Sequence, residues 1–127
     1  MLRAVGKEAG QWLVTDDLRN FPCDELIAID RLWVKYSNGL YGFSVQKQIY
    51  VECGGKLDFS EPSDETWNEF CDRVAWRNKE KYVTYSDLFN KNLIDNSGHL
   101  PMSWVCRGLE GFWVGWGFFS RIQTCEL

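Results

Sequence analysis

The residue best suited to acid–base chemistry is His99, the single histidine of the chain. Ser97 lies just before it, and a serine beside a histidine base is a starting point for a nucleophilic site. The sequence has no nucleophile elbow, no paired-carboxylate motif and no glycine-rich phosphate loop. We therefore expect a binding protein rather than an enzyme and interpret His99 as a structural residue of its turn. An enzyme that uses His99 or a free cysteine is the alternative.

Cysteine chemistry gives a similar answer. The chain has five cysteines, an odd number, with no Cys-x-x-Cys pair. No signal peptide is recognisable at Met1, so free thiols in a reducing compartment are favoured over a disulfide framework. No metal site is expected, because His99 has no Cys or His neighbours at ligand spacing. The cysteines are Cys23, Cys53, Cys71, Cys106 and Cys125.

Composition narrows the class of partner. The 127 residues are expected to form a single domain, 1–127. The 14 basic and 18 acidic residues argue against a nucleic-acid binder, which usually carries a basic stripe. Aromatic residues make up 16% of the chain. Two interpretations stay open: a tryptophan-rich core, or a concave site that binds a flat apolar ligand.

The C-terminal part of the chain is rich in aromatic residues and glycine. The run Trp104 to Phe119 is too short for a membrane span and contains Arg107 and Glu110. It could contact a membrane surface, bind a partner or cover a ligand as a flap. We expect 103–127 to be a flexible aromatic tail.

Short amphipathic helices are predicted in the first half of the chain. Thr15 is a suitable N-cap for the first helix, and Pro22 suits the first position of the second. Asn38-Gly39 ends that second helix in a left-handed turn. Its inner face is predicted to hold Leu26, Ile29, Trp33 and Tyr36. Ser44 is predicted to cap a third helix, which ends at Gly54-Gly55 and whose inner residues are Val45, Ile49 and Cys53.

The second half continues the helical pattern and ends in a loop. Ser63 is predicted to cap a helix whose inward residues are Trp67, Phe70, Cys71 and Val74. The following RNKEK is predicted to be a turn, and YVTYSDLF suits either a short strand or a helix start. Asn90 to Ser103 reads as a long polar loop, which in compact domains is often functional. The predicted fold class is all-α, with several short helices.

Two loops are candidates for a binding site. The turn after the second helix presents Tyr41 and Phe43, and the segment Asn92 to Pro101 is expected to fold against it. Two such rims form a cleft suited to a planar conjugated ring, which gains mainly from apolar burial. Polar side chains at the rim would hold carboxylates on the edge of the ring. They are Lys35, Asn38, Gln46, Lys47, Lys91, Asn96 and His99.

Several motifs, in order and at matching spacing, resemble the genomes-uncoupled-four (Gun-four) family. They are FPCDELIAIDRLWVKYSNGLYGFSVQKQIY, CDRVAWR, YSDL and GHLP. The resemblance extends from about Trp12 to Pro101. It implies an all-helical fold likened to a cupped hand, whose hollow holds protoporphyrin IX or Mg-protoporphyrin IX. It also implies that the protein activates magnesium chelatase in chlorophyll synthesis. No further cofactor is implied.

The resemblance also implies site residues. The family site lies between the two loops already selected from the residues. The porphyrin-binding residues expected here are Val34, Tyr41, Phe43, Trp76, Tyr82, Asn92, Asn96 and His99. Plain core packing is the alternative role for Val34 and Trp76. The chain departs from the family pattern at Leu40 and Ser97, where the family often has basic residues, and at Ala75, where it has glycine.

The resemblance further implies a partner and a location. The expected partner is the large porphyrin-binding subunit of magnesium chelatase. Apart from the resemblance, we expect a monomer, and the aromatic C-terminal run suggests peripheral membrane contact. The expected location is a cyanobacterial-type cytoplasm beside thylakoids, or a plastid if the source is eukaryotic. A bilin or haem sensor, or a protein-interaction domain of the same fold, is the alternative function.

Overall fold

The computed structural model describes residues 19–83, 87, 89–101 and 115–126. The described part is mostly helical, as predicted, and adds a two-stranded hairpin to the expected all-α fold. None of its helices has the length and apolar content that crossing a membrane requires. Residues 1–18 lie outside the described part, and they include the start of the helix expected after Thr15. The elements are α1 (Cys23–Tyr36), α2 (Phe43–Glu52), α3 (Asp64–Arg73), β1 (Arg77–Asn78), β2 (Lys81–Tyr82) and α4 (Gly115–Thr124).

Helix α1 begins and ends where its sequence predicts. Pro22 precedes it in an extended conformation, and its first turn is acidic, which suits the positive end of the helix dipole. Asn38 and Gly39 follow it with φ of 55° and 84°, the left-handed conformation that ends helices. One part of the prediction is wrong: Tyr36, placed on the inner face, is 78% exposed. The apolar face of α1 therefore stops one turn earlier.

Helix α2 begins differently from the prediction. Ser44 was expected to cap it, but Ser44 lies inside the helix, and Gly42 precedes the first residue with φ of 134°. The buried Asp30 of α1 performs the capping role, since its Oδ1 accepts a hydrogen bond from the Ser44 N–H at 2.9 Å. A Cβ at residue 42 would lie 2.8 Å from both Asp30 Oδ1 and Val34 Cγ2, so this close crossing requires glycine.

Replacing Asp30 with alanine is expected to lower the free energy of unfolding by about 1.5–3 kcal/mol, because the Ser44 N–H loses a charged acceptor. Urea unfolding followed by circular dichroism measures the change. Asp24→Ala is the matched control: it removes an exposed carboxylate from the first turn of the same helix and should cost about 0.3–1 kcal/mol. Equal losses in the two variants would contradict the capping role.

The core forms where α2, α3 and α4 meet. Ser63 caps α3 by accepting a hydrogen bond from the Thr66 N–H, and the predicted inward residues of α3 are all buried. Phe70 lies at the centre, with ring centroids 5.7 Å from Tyr50, 5.5 Å from Trp76 and 5.2 Å from Phe119. Edge-to-face contacts of this kind add to the free energy of apolar burial.

Helix α4 corrects the expectation of a flexible aromatic tail for part of 103–127. Phe119 and Ile122 are fully buried, and α4 packs against α2. Arg121 Nε also donates a hydrogen bond to the Phe21 carbonyl oxygen at 2.9 Å. Phe119 and Ile122 therefore belong to the core, which the composition of the run did not reveal. Residues 102–114 lie outside the described part.

A disulfide between two cysteines also corrects the prediction made from the sequence. Cys23, the first residue of α1, and Cys125, just after α4, form a disulfide with Cα atoms 5.5 Å apart. The prediction of free thiols is therefore wrong for this pair, because the fold places two residues separated by 102 positions at disulfide distance. Cys53 and Cys71 are buried and form no disulfide among the described residues, in agreement with the prediction. Cys106 lies outside the described residues.

Candidate functional site

The loop after α1 and the later polar loop contact each other, as predicted. The Gly98 N–H donates to the Leu40 carbonyl oxygen at 2.7 Å, and the Gly42 N–H donates to that of Leu100 at 3.0 Å. The Tyr41 hydroxyl donates to the Ile94 carbonyl oxygen. Residues 40–42 therefore hold the later loop at three points, two through their backbone and one through the Tyr41 side chain.

The later loop is also held from the core. Gln46 of α2 donates through Nε2 to the carbonyl oxygens of Gly98 at 2.9 Å and Pro101 at 2.7 Å. Trp76 donates through Nε1 to the His99 carbonyl oxygen at 2.7 Å. Because buried donors and acceptors are costly to leave unpaired, these bonds set the path of residues 98–101.

Three of the expected porphyrin contacts lie in the core. Phe43 is 1% exposed, and Trp76 and His99 are 0% exposed. The His99 ring nitrogen Nδ1 lies 2.8 Å from the Val74 carbonyl oxygen. In this structure the three side chains support the loops from within the core. This is the structural role that the sequence left open for Trp76 and His99.

Three further expected contacts surround the junction of the two loops. Val34 of α1 is half-buried beside Gly42, and the Tyr41 ring meets Trp33 edge-on at 6.2 Å. Asn96 donates through Nδ2 to the Leu93 carbonyl oxygen at 2.8 Å. Burial and the nearby charge of Asp95 raise the pKa of Tyr41, so its hydroxyl stays protonated and keeps its role as a donor.

The remaining two expected contacts, Tyr82 and Asn92, line one cavity. It has a volume of about 450 Å³ and lies between the β1–β2 hairpin and the residues Asp87, Asn90 and 92–93; we call it the hairpin cavity. Tyr82 is held in place by donating from its hydroxyl to Asn68 Oδ1. The lining residues that the structure describes are Asn78, Lys81, Tyr82, Val83, Asp87, Asn90, Asn92 and Leu93.

Sequence reasoning missed most of this lining. Asn78 and Lys81 belong to RNKEK, which was predicted to be only a turn. Their register explains their placement, since Asn78 pairs with Lys81 across the antiparallel hairpin and paired residues share one face. The signal available in the sequence was the strand-like alternation that follows the turn, at Tyr82 and Val83.

A second cleft includes Ser97 of the later loop. It has a volume of about 410 Å³ and runs along α2, where Ser97 and Ile49 are among its lining residues. Its cation, Arg73, lies 3.6 Å from Glu52 in an ion pair. Because none of the expected ring-contacting residues lines this cleft, the hairpin cavity is the better candidate for a ligand site.

The described residues offer little for catalysis or metal binding. Ser97 is exposed while His99 is fully buried, so a nucleophile–base pair is not assembled between these side chains. Among residues 19–83, 87, 89–101 and 115–126, no group of three His, Cys, Asp or Glu side chains could hold a metal ion. What the arrangement can do is bind a ligand between apolar walls and amide groups.

Comparison with known proteins identifies the family. The family model described as GUN4-like matches residues 1–115. A protein of Porphyra purpurea named ycf53 is 29% identical over 120 residues, which cover 94% of this chain and 45% of that protein. The chloroplastic tetrapyrrole-binding protein of Arabidopsis thaliana is 30% identical over 103 residues, covering 74% of this chain and 35% of that protein. The chain thus spans less than half the length of these relatives.

The fold has a solved counterpart. The ligand-free structure of Arabidopsis thaliana GUN4 superposes with a TM-score of 0.66 at 21% sequence identity. The alignment covers 94% of this chain and 76% of that one. The structural likeness establishes the shared fold, and the family match over residues 1–115 establishes the relationship. The chain belongs to the GUN4-like family, as the sequence motifs predicted.

Proposed function

We propose that the protein binds protoporphyrin IX or Mg-protoporphyrin IX in the hairpin cavity and stimulates magnesium chelatase in chlorophyll synthesis, without catalysing a reaction itself. The observation that carries the proposal is the hairpin cavity itself. At about 450 Å³ it falls within the usual range of small-molecule sites, roughly 300–1,000 Å³, and Tyr82 and Asn92 line it. The protein's sequence is also similar to that of an Arabidopsis thaliana protein that is named for tetrapyrrole binding.

The walls of the hairpin cavity suit a macrocycle that enters by one edge. Tyr82, Val83 and Leu93 supply apolar surface, and the side chains of Asn90 and Asn92 supply hydrogen-bonding groups. Apolar burial would provide most of the affinity, at about 25 cal/mol per Å² before the costs of association. The amides would orient the polar edge of the ligand.

His99 bears on the choice between this function and a haem sensor of the same fold. It is the only histidine of the chain, and its ring is fully buried with Nδ1 against the Val74 carbonyl oxygen. Axial ligation of haem iron by this imidazole would require the turn at 98–101 to move out of the core. The geometry therefore favours a porphyrin held by its faces and edge over a haem held by histidine.

Titration with several tetrapyrroles tests the proposal. The purified protein is titrated with protoporphyrin IX, Mg-protoporphyrin IX, haem and biliverdin, and tryptophan quenching and the porphyrin Soret band are recorded. Tightest binding of either porphyrin supports the proposal. Preference for biliverdin or haem would assign the sensor function instead, and binding of none of the four would leave a protein-interaction domain.

Tyr82→Ala is expected to weaken porphyrin binding about tenfold, because it removes the largest ring from the wall of the hairpin cavity. Tyr36→Ala is the matched control: Tyr36 is 78% exposed on α1 and lines no part of this cavity, so its Kd should stay within about twofold of the wild type. The Soret titration measures both variants. A Tyr82→Ala protein with unchanged Kd would place the porphyrin elsewhere.

The regulatory part of the proposal concerns a partner. We place the protein as a monomer at the large porphyrin-binding subunit of magnesium chelatase, with peripheral contact to a membrane. The setting is a cyanobacterial-type cytoplasm beside thylakoids, or a plastid in a eukaryote. A reconstituted chelatase assay tests this step: the wild type should raise the rate, and Tyr82→Ala should raise it less at the same porphyrin concentration. An unchanged rate with wild-type protein would remove the chelatase role while leaving porphyrin binding intact.

A further inference from the structure

A macrocycle with carboxylates on its edge requires a cation or a set of donors near the cavity that accepts it. Several cations near the two loops are already engaged or point elsewhere. Arg77 Nη1 lies 2.9 Å from Asp72 Oδ2 in an ion pair, and its guanidinium lies over the Tyr82 ring. Lys35 lies over the Tyr36 ring on α1. Lys91 is exposed on the loop and is not part of the lining of the hairpin cavity.

Lys81 is in a different position. It lines the hairpin cavity, and within the described part of the chain its side chain has no ion pair. Among the described lining residues it supplies the positive charge, whereas Asp87 supplies a negative one. The other polar lining residues are the amides Asn78, Asn90 and Asn92, which bind carboxylates as neutral donors.

The hairpin fixes where Lys81 stands. Lys81 pairs with Asn78 across the two strands, so their side chains are neighbours on one face. The turn between them, Lys79-Glu80, has φ of 51° and 67°, the left-handed pair typical of a tight two-residue hairpin. The Val83 N–H then donates to the Trp76 carbonyl oxygen at 2.9 Å, which ties the end of β2 to the core. A cation and an amide donor therefore stand side by side at the cavity.

Building on the proposed porphyrin function, we propose that Lys81 pairs with a carboxylate of the ligand and makes the hairpin cavity selective for macrocycles with free acid groups. Asn78 donates a neutral hydrogen bond to the same group. Removing the Lys81 charge leaves Asp87 as the charged lining residue, so a carboxylate would then meet a repulsive field. The residue determines specificity and takes no part in any bond-making step.

The test compares a diacid porphyrin with its dimethyl ester. Protoporphyrin IX and protoporphyrin IX dimethyl ester, both dispersed in the same detergent, are titrated into the wild type, Lys81→Gln, Lys81→Arg and Lys79→Gln. Lys79 lies in the turn of the same hairpin and is exposed, but it does not line the cavity, so it is the matched control. The folded state of each variant is checked by circular dichroism.

We expect Lys81→Gln to weaken binding of the diacid about tenfold while leaving the Kd of the ester unchanged. Lys81→Arg, which keeps the charge, should restore most of the diacid affinity, and Lys79→Gln should resemble the wild type. Equal diacid affinity of Lys81→Gln and the wild type overturns the role of Lys81 while the porphyrin function stands. Failure of the wild type to bind either macrocycle overturns the porphyrin function itself.

Discussion

Replacing Trp76 with alanine is expected to lower the free energy of unfolding by about 3–5 kcal/mol, the usual cost of deleting a large buried ring. Trp76 is fully buried, and its ring meets Phe70 edge-on at 5.5 Å. The substitution also removes the donor that satisfies the buried His99 carbonyl oxygen. Core packing and the anchoring of the later loop are lost together.

Trp76→Phe separates these two contributions. Phenylalanine keeps a ring in the core but has no N–H, so the loss is expected to fall to about 1–3 kcal/mol, the cost of leaving the His99 carbonyl without its partner. Urea unfolding followed by far-ultraviolet circular dichroism measures both variants without relying on tryptophan emission. Trp76 was predicted from the family resemblance to contact porphyrin. If the indole formed the wall of the ligand site instead of the core, Trp76→Phe would reduce porphyrin affinity while leaving stability nearly unchanged.

The elements that the sequence predicted correctly are those whose signals are local. Ser63 caps α3 through the Thr66 N–H, and Asn38-Gly39 ends α1, because each motif is complete within a few residues. The inward residues of α3 follow from the helical repeat alone. Local propensity and tertiary packing agree at these places, so a single sequence is enough to predict them.

The start of α2 shows what a single sequence cannot give. Ser44 has the right residue type and position for a cap, but Asp30, fourteen positions earlier, satisfies the relevant N–H. Choosing between the two requires the crossing of α1 over the loop at Gly42, which depends on how the helices pack. The same limit explains Tyr36, whose spacing fits the inner face of α1 although the neighbouring elements do not cover it.

The candidate site likewise has features that a single sequence can predict and features that depend on packing. The sequence predicted that the two loops fold against each other, and the hydrogen bond from the Gly98 N–H to the Leu40 carbonyl oxygen shows that they meet. Individual side chains were harder to assign, because Phe43 and Trp76 lie on the core side of the backbone whereas Tyr82 lies on the cavity side. Lys81 was missed because its hairpin turn uses Lys79-Glu80, and left-handed turns of this kind are usually recognised by Asn-Gly or Asp-Gly.

Replacing Cys125 with serine is expected to lower the free energy of unfolding by about 2–5 kcal/mol, because the disulfide to Cys23 restricts the unfolded chain over a separation of 102 residues. In the folded state the bond joins the start of α1 to the end of α4, whose Phe119 and Ile122 are fully buried. Losing the covalent link lets α4 separate from the core at a smaller cost in free energy.

Thermal unfolding with and without a dithiol reductant measures this effect and provides its control. Reductant should lower the Tm of the wild type to that of Cys125→Ser and should leave the variant unchanged, because Cys53 and Cys71 are buried and form no disulfide among the described residues. A reductant effect that persists in Cys125→Ser would show that a different cysteine pair is linked.

Since α4 packs against α2, and α2 holds the later loop through Gln46, the reduced protein should also bind porphyrin more weakly near its Tm. Porphyrin titration of reduced and oxidised protein at that temperature therefore tests whether destabilising the C-terminal helix lowers porphyrin affinity.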